Sequence, residues 1–211
     1  MTPKNRNGAD SGLEPSPKKS VSNKSNNTGF SGDCQVKIVS GNGSYHTAKP
    51  DAKKPKPYIW LALDKIPSMV KNPVNVPKAE APWAIFSSTG GDYAREHKFQ
   101  RENGKYQALA GDLDEVGNLT ALGISSIISA IFTPGTSHFI YSTKSATPEN
   151  NKSRIIIPLA APIPGREYPL YAKVFNDKLS AAGIEPDRAT ERCGQLFYLP
   201  NRGVFYDFHI K

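Results

Sequence analysis

The stretch that decides the fold is Tyr106-Gln-Ala-Leu-Ala-Gly-Asp-Leu-Asp-Glu115, in which an apolar run leads into closely spaced carboxylates. The apolar residues predict a core strand, and side chains alternate along a strand, so Asp112 and Asp114 are expected to project from one face. Two such carboxylates repel each other and resist burial. A divalent cation with oxygen ligands, Mg²⁺ or Mn²⁺, compensates that charge. The alternative interpretation is a strand that runs out into a polar turn.

The segments around this strand alternate between strand-like and helix-like patterns. Apolar, β-branched and aromatic runs bounded by turn residues predict strands over residues 82–88, 137–143, 154–163, 195–200 and 204–210. Longer apolar-faced segments that end at Pro134-Gly135 and at Gly183 predict helices over residues 119–132 and 165–183. The order β-β-α-β-β-α-β-β predicts an α+β fold with helices packed on mostly antiparallel sheet.

The first 56 residues differ in composition from the rest of the chain. They hold ten basic residues against four acidic ones, a balance of +6 out of the chain's formal +8. Residues 1–33 contain almost no apolar side chains, so they are expected to be disordered, and residues 34–40 are the one candidate strand. The sequence thus predicts a disordered basic tail over 1–56 and a folded domain over 57–211. The tail either raises affinity for phosphate backbones or simply keeps the protein in solution.

Cysteine usage and hydropathy indicate the compartment. The two cysteines lie far apart without CxxC spacing, which favours a reducing environment over a disulfide framework or a zinc site. The start of the chain has no apolar signal region. The longest apolar stretch, residues 119–132, is too short to span a bilayer. The prediction is a soluble cytoplasmic protein without membrane contacts.

Three segments together carry a family resemblance: Gly-Asp-Leu-Asp-Glu at 111–115, Tyr-Ser-Thr-Lys-Ser-Ala-Thr-Pro-Glu followed by Arg-Ile-Ile-Ile-Pro-Leu within 141–159, and Ile-Glu-Pro-Asp followed by Leu-Phe-Tyr-Leu-Pro within 184–201. Their order and spacing resemble the primase–polymerase domain of the archaeo-eukaryotic primase superfamily, in the versions found in phage and plasmid replication proteins. The resemblance covers about residues 80–211 and implies an RRM-like catalytic core.

The resemblance implies a function and a set of site residues. Asp112 and Asp114 match the family's first motif, and Asp187 matches its third, a single acid after the second helix. These acids would hold Mg²⁺ or Mn²⁺ ions that activate a primer 3′-hydroxyl and steady the departing pyrophosphate. The implied activity is that of a DNA primase or polymerase, a nucleotidyltransferase that joins nucleoside triphosphates on a single-stranded DNA template. A replicative helicase is a further implied partner.

The chain departs from the family at the family's second motif. Its histidine, which contacts the nucleotide phosphates, falls on Ala146. We expect Lys144, Ser145 and Arg154 to bind the phosphates instead, because Lys and Arg suit a triphosphate as well as His does. The alternatives are recruitment of His138, at the start of a predicted strand, or impaired nucleotide binding.

Two functions from other classes remain open on the sequence alone. The absent histidine favours a catalytically silent DNA-binding or origin-recognition module with the same fold, whereas the three retained acids argue against it. The same carboxylates would also serve a two-metal nuclease that activates water. Phe197 and Tyr198 are candidates either for base stacking or for the core.

Overall fold

Two four-stranded antiparallel sheets form the framework of the protein, with strand orders β2-β1-β3-β7 and β4-β6-β5-β8. The computed structural model describes residues 35–43 and 58–211. Most of the tail predicted over 1–56 therefore lies outside the described residues. The strands are β1 Lys37–Asn42, β2 Ile59–Ala62, β3 Pro82–Ile85, β4 Lys105–Leu113, β5 Phe139–Ser142, β6 Ser153–Pro164, β7 Phe197–Tyr198 and β8 Phe208–Ile210. The helices are α1 Ile66–Lys71, α2 His97–Asn103, α3 Ala121–Ile131 and α4 Tyr168–Ala181. This arrangement confirms the α+β class.

Strand β1 is an interior strand of the first sheet. Its residue Val39 lies opposite Trp60 of β2 on one side and Ile85 of β3 on the other. The sheet therefore begins upstream of the boundary expected at residue 57. The linker composition of residues 41–57 hid this, since a six-residue strand between polar segments has little periodicity of its own.

Strand β4 lies at one edge of the second sheet and pairs along its length with β6. Its register changes between Tyr106 and Ala108 and places Asp112 directly opposite Arg154. β4 is buried on both faces. Leu109 and Leu113 belong to one core cluster, with α3 and α4, whereas Ala108 and Ala110 belong to another with residues of the first sheet. Burial on both sides explains why the strand reads as a continuous apolar run.

The two long helices begin and end within a few residues of the predicted limits. Thr120 caps α3 by accepting a hydrogen bond from the amide of Gly123 at 3.1 Å. After α4, Gly183 takes a φ of +84°, a conformation that favours glycine. Gly111 of β4 lies under α4, where an added Cβ would come within 3.1 Å of the Phe175 ring. Across the described part of the chain, every helix is too short or too polar to cross a membrane.

Candidate active site at the end of strand β4

Asp112 and Arg154 form the central pair of the site. They face each other across β4 and β6, and both Nε and Nη2 of Arg154 donate to Oδ2 of Asp112, at 3.2 and 2.9 Å. Tyr141 of β5 lies opposite Arg154 on its other side, so the three side chains share one face of the second sheet. Ala110 and Ile156 project from the same face and pack against residues of the first sheet.

Aromatic rings of the first sheet cover the Arg154 guanidinium. Its central carbon lies 5.5 Å from the ring centre of Phe197 and 5.8 Å from that of Tyr198, both within range of a cation–π interaction. The hydroxyl of Tyr141 donates to the backbone carbonyl of Tyr198 at 2.7 Å, which ties β5 to β7. Phe197 is buried and Tyr198 is half-buried, so Phe197 belongs to the core.

The Asp112 carboxylate is only partly satisfied. Its side chain is 21% exposed, and Oδ1 has no hydrogen-bond partner among the described residues. Burial raises the pKa of Asp112, the Arg154 guanidinium opposes this, and the charges of Asp114 and Asp187 raise the pKa further. The attraction of one arginine therefore does not outweigh the loss of hydration. A buried carboxylate oxygen left without a donor is a site where a ligand cation or proton is favourable.

Asp187 reaches this site from a loop more than 70 residues downstream. Its backbone amide donates to the carbonyl of Asp112 at 2.8 Å. Its carboxylate accepts a hydrogen bond from the amide of Ala189 at 2.8 Å and thereby caps the short 3₁₀ helix Arg188–Glu191. β4 is an edge strand, so the loop lies along its free edge. The structure thus brings the backbone of Asp187 next to that of Asp112.

Asp114 follows the last residue of β4 and is largely exposed. Its side chain is 61% exposed, and Oδ1 lies 3.5 Å from Nζ of Lys152. Each of the three acids therefore has a separate protein partner. In residues 35–43 and 58–211, no group of three or more His, Cys, Asp or Glu side chains is arranged to hold a metal ion. The three acids adjoin one another at one end of β4 without forming a common set of ligands.

Arg188 fixes the loop that carries Asp187, a role that the sequence analysis missed. Its guanidinium contacts Asp177 at 2.7 Å, Glu191 at 3.0 Å and Glu185 at 3.4 Å, and it also donates to Ser180 Oγ at 2.8 Å. These contacts attach the loop to α4. The spacing of Glu185 and Glu191 at three residues on either side of Arg188 was the available sequence signal, since such residues lie close together in a helical turn.

His138 lies on the other face of the second sheet from Arg154. It is fully buried against α3, where Nε2 lies 2.7 Å from Ser125 Oγ and Nδ1 lies 2.9 Å from the carbonyl of Thr136. Burial lowers its pKa, which favours the neutral ring. The structure does not bring His138 to the end of β4 that holds Asp112.

Lys144 and Ser145 lie in the exposed turn between β5 and β6. Nζ of Lys144 donates to Oδ1 of Asn75 at 2.7 Å, and Oγ of Ser145 lies 3.4 Å from Oγ1 of Thr143. Ala146, where the family has its histidine, is buried at 6% exposure. The turn is joined to the start of β6 by the Thr143 amide, which donates to the Lys152 carbonyl at 2.7 Å. Of the residues expected to bind phosphates, Arg154 alone contacts one of the three acids directly.

The comparisons with known proteins give no match. No family model matches the chain, and no curated protein or solved structure matches it either. The resemblance to the primase–polymerase domain therefore rests on the motifs of the chain itself.

Proposed function

We propose that this protein is a metal-dependent nucleotidyltransferase of the primase–polymerase type that adds nucleotides on a single-stranded DNA template during phage or plasmid replication. The observation that carries the proposal is the hydrogen bond from the Asp187 amide to the Asp112 carbonyl. It supports a shared site, because the backbones of the two residues meet although they are far apart in the sequence.

The carboxylate oxygens of the three acids are suitable ligands for a hard divalent cation, but their arrangement in this structure does not form a common set of ligands. Asp112, Asp114 and Asp187 would supply oxygen ligands, and the unpartnered Oδ1 of Asp112 is the strongest candidate among them. When bound, Mg²⁺ or Mn²⁺ supplies Lewis-acid activation of a primer 3′-hydroxyl and neutralises phosphate charge. The exposed carboxylates of Asp114 and Asp187 are free to change rotamer, since a single surface contact holds each of them.

Arg154 is the residue best placed to bind the nucleotide triphosphate. Two of its N–H groups contact one carboxylate oxygen, and a guanidinium carries five. The rings of Phe197 and Tyr198 hold its position independently of Asp112. The Arg154 charge also stabilises the ionised form of Asp112, because its attraction partly offsets the loss of hydration on burial. Lys144 and Ser145, in the neighbouring turn, would extend the phosphate contacts.

A primer-synthesis assay tests the proposal. Purified protein is supplied with single-stranded DNA, labelled nucleoside triphosphates and either Mn²⁺ or Mg²⁺. We expect metal-dependent products from the wild type and none from Asp112→Asn or Asp114→Asn. Glu102→Gln, an exposed acid on α2, is the matched control and should remain active. Degradation of the template in place of synthesis would identify a nuclease instead.

A catalytically silent DNA-binding module is the second candidate, and one observation favours it. Asp112 is already paired with Arg154, and the described residues hold no preformed cluster of three metal ligands. Under this alternative, Asp112 and Arg154 form a structural ion pair between the sheets. Single-stranded DNA would then bind without metal, no primer would form, and the Asp112→Asn variant would bind DNA as the wild type does.

A further inference from the structure

A solvent-exposed tryptophan marks a second surface, remote from the acids. Trp60 of β2 is 54% exposed, whereas Trp83, the other tryptophan of the chain, is completely buried. Trp60 borders an open groove of about 490 Å³ lined by Gln35, Val36, Lys37, Trp60, Ser88 and Gln107. Gln107 is five residues from Asp112 on β4, which corresponds to roughly 17 Å along the strand.

The register of the first sheet places a positive charge beside the indole. Val39 lies opposite Trp60, and Lys37 lies opposite Ala62, so Lys37 and Trp60 project from the same face as diagonal neighbours. Diagonal pairs of this kind are about 7–8 Å apart. The Lys37 side chain is exposed. An aromatic ring and a cation on one face can meet a base and its phosphate.

Gly90 holds the indole in place. A Cβ on residue 90 would lie 2.6 Å from Cζ2 of Trp60, so the backbone of this loop supports the six-membered ring at a distance that only glycine permits. The loop is itself anchored to α2, because Nε2 of Gln100 donates to the carbonyl of Thr89 at 2.8 Å and Oγ1 of Thr89 donates to the carbonyl of Asn103 at 2.9 Å. A fixed ring with an open surface loses little entropy when a base stacks on it.

Polar groups at the groove wall are positioned to meet the edge of a base. Nε2 of Gln107 donates to Ser88 Oγ at 3.0 Å, which leaves its carbonyl oxygen as an acceptor. Gln35 is held in a similar way, by donation from Nε2 to Asp64 at 3.2 Å. Lys37 is the one charged residue among the described residues that line the groove, and its charge is positive. A polyanion is therefore the favoured occupant.

We propose that Trp60, supported by Gly90 and flanked by Lys37, is a stacking platform for a base of single-stranded DNA. The platform lies apart from the acids and does not depend on the catalytic role proposed for Asp112. Aromatic stacking accepts any base, so the surface would bind with little sequence preference. Its position would hold a strand at a fixed distance from the end of β4.

Tryptophan fluorescence and oligonucleotide binding test the platform together. The full chain is titrated with an oligothymidylate of about 16 nucleotides, without metal or nucleoside triphosphate, so that a failure of catalysis has no influence on the result. We expect the emission of Trp60 to be quenched, while buried Trp83 contributes a constant background. Trp60→Phe should retain most of the affinity, measured by the anisotropy of a labelled oligonucleotide, and should lose the quenching.

Matched variants decide between stacking and general charge attraction. Trp60→Ala should weaken binding about tenfold, and Gly90→Ala should also weaken it by displacing the ring without any change in charge. Ile59→Ala is the control, because Ile59 is 48% exposed on the same strand and projects from the opposite face. Equal affinities for Trp60→Ala and Ile59→Ala would overturn the proposal. Unquenched emission from wild-type protein saturated with the oligonucleotide would also overturn it, even if the alanine variant failed to fold.

Discussion

Two arginines of this protein contact carboxylates in very different surroundings. Arg154 and Asp112 lie between the sheets, with side chains 15% and 21% exposed, whereas Arg188 lies on the surface at 41% exposure among three acids. The pKa of Asp112 is raised, because burial outweighs its arginine. The pKa of Asp177 is lowered, because hydrogen bonds from Lys173 and Arg188 stabilise its charged form. An arginine partner therefore favours the charged carboxylate in both places, but at the candidate site the loss of hydration on burial outweighs it.

The two arginines also differ in what they contribute to stability. A protein that needed only stability would gain more from an apolar pair between its sheets than from a partly buried ion pair. The Arg188 network, by contrast, is well hydrated and attaches the loop that carries Asp187 to α4. Under the proposed function the charge of Asp112 takes part in the site, whereas Arg188 positions the loop.

Removal of the buried arginine should have the largest effect. Arg154→Met leaves the Asp112 carboxylate unpaired between the sheets, and we expect it to lower the free energy of unfolding by about 2–4 kcal/mol at pH 7. The loss should shrink as the pH falls toward about 4, because the variant raises the pKa of Asp112 still further and the folded state then takes up a proton that the unfolded chain does not. Urea denaturation across this pH range measures both effects.

Lys152→Met is the control for that experiment. Lys152 makes a long contact with the exposed Asp114. Its removal should change the free energy of unfolding by less than about 1 kcal/mol, as is usual for surface ion pairs. If both variants lost equal stability, the contrast between the buried and exposed pairs would be wrong.

The two aspartates should give pH dependences of opposite sign. The pKa of Asp112 is raised, so its protonation stabilises the wild type as the pH falls through the pKa of the folded state. Asp112→Asn lacks this proton uptake and should become progressively less stable relative to the wild type as the pH falls. At pH 7, Asp112→Asn should differ from the wild type by about 1 kcal/mol or less, since the amide keeps an acceptor for Arg154.

Asp177→Asn provides the opposite case. The pKa of Asp177 is lowered, so its stabilising contribution is present above the unfolded pKa and is lost as the pH falls through the folded value. The variant should be less stable than the wild type at neutral pH and equal to it in acid. Thermal unfolding of both variants from neutral to acidic pH measures the two slopes. Slopes of the same sign would refute the raised pKa assigned to Asp112.

The smallest effect is expected at the surface network. Arg188→Met should lower the melting temperature less than Arg154→Met does, and about 1 M salt should remove the difference from the wild type, because exposed charges are screened. The deficit of Arg154→Met should persist in the same salt. Melting curves of the two variants at low and high salt test this contrast, and a salt-resistant loss in Arg188→Met would show that the loop is attached by something other than charge.

The elements that were predictable from sequence are those with long apolar patterns. β4, β6 and both long helices were placed correctly, since their runs are buried on a face or on both. β1 was harder to place because its six residues lie between polar segments and gain burial only by pairing with β2 and β3. Tertiary pairing of this kind has no local signature.

At the candidate site, residue types were predictable and their partners were not. The motif order predicted that Asp187 would come near Asp112, and in the structure a backbone hydrogen bond joins the two residues. That Arg154 would pair with Asp112 depends on the strand register, which an irregularity between Tyr106 and Ala108 shifts by three residues. His138 directly precedes β5, so its burial against α3 likewise depends on which face of the sheet packs against that helix.

Titration with Mn²⁺ is the measurement that tests most directly whether the three acids act as one site. Binding is followed by the loss of the free-ion paramagnetic resonance signal, for the wild type, Asp187→Asn and the control Glu102→Gln, an exposed acid on α2. We predict that the wild type and Glu102→Gln bind Mn²⁺ with the same affinity, that Asp187→Asn binds it at least tenfold more weakly, and that Mn²⁺ raises the melting temperature only where it binds. Equal Mn²⁺ binding by all three proteins, or no binding by the wild type, would contradict it.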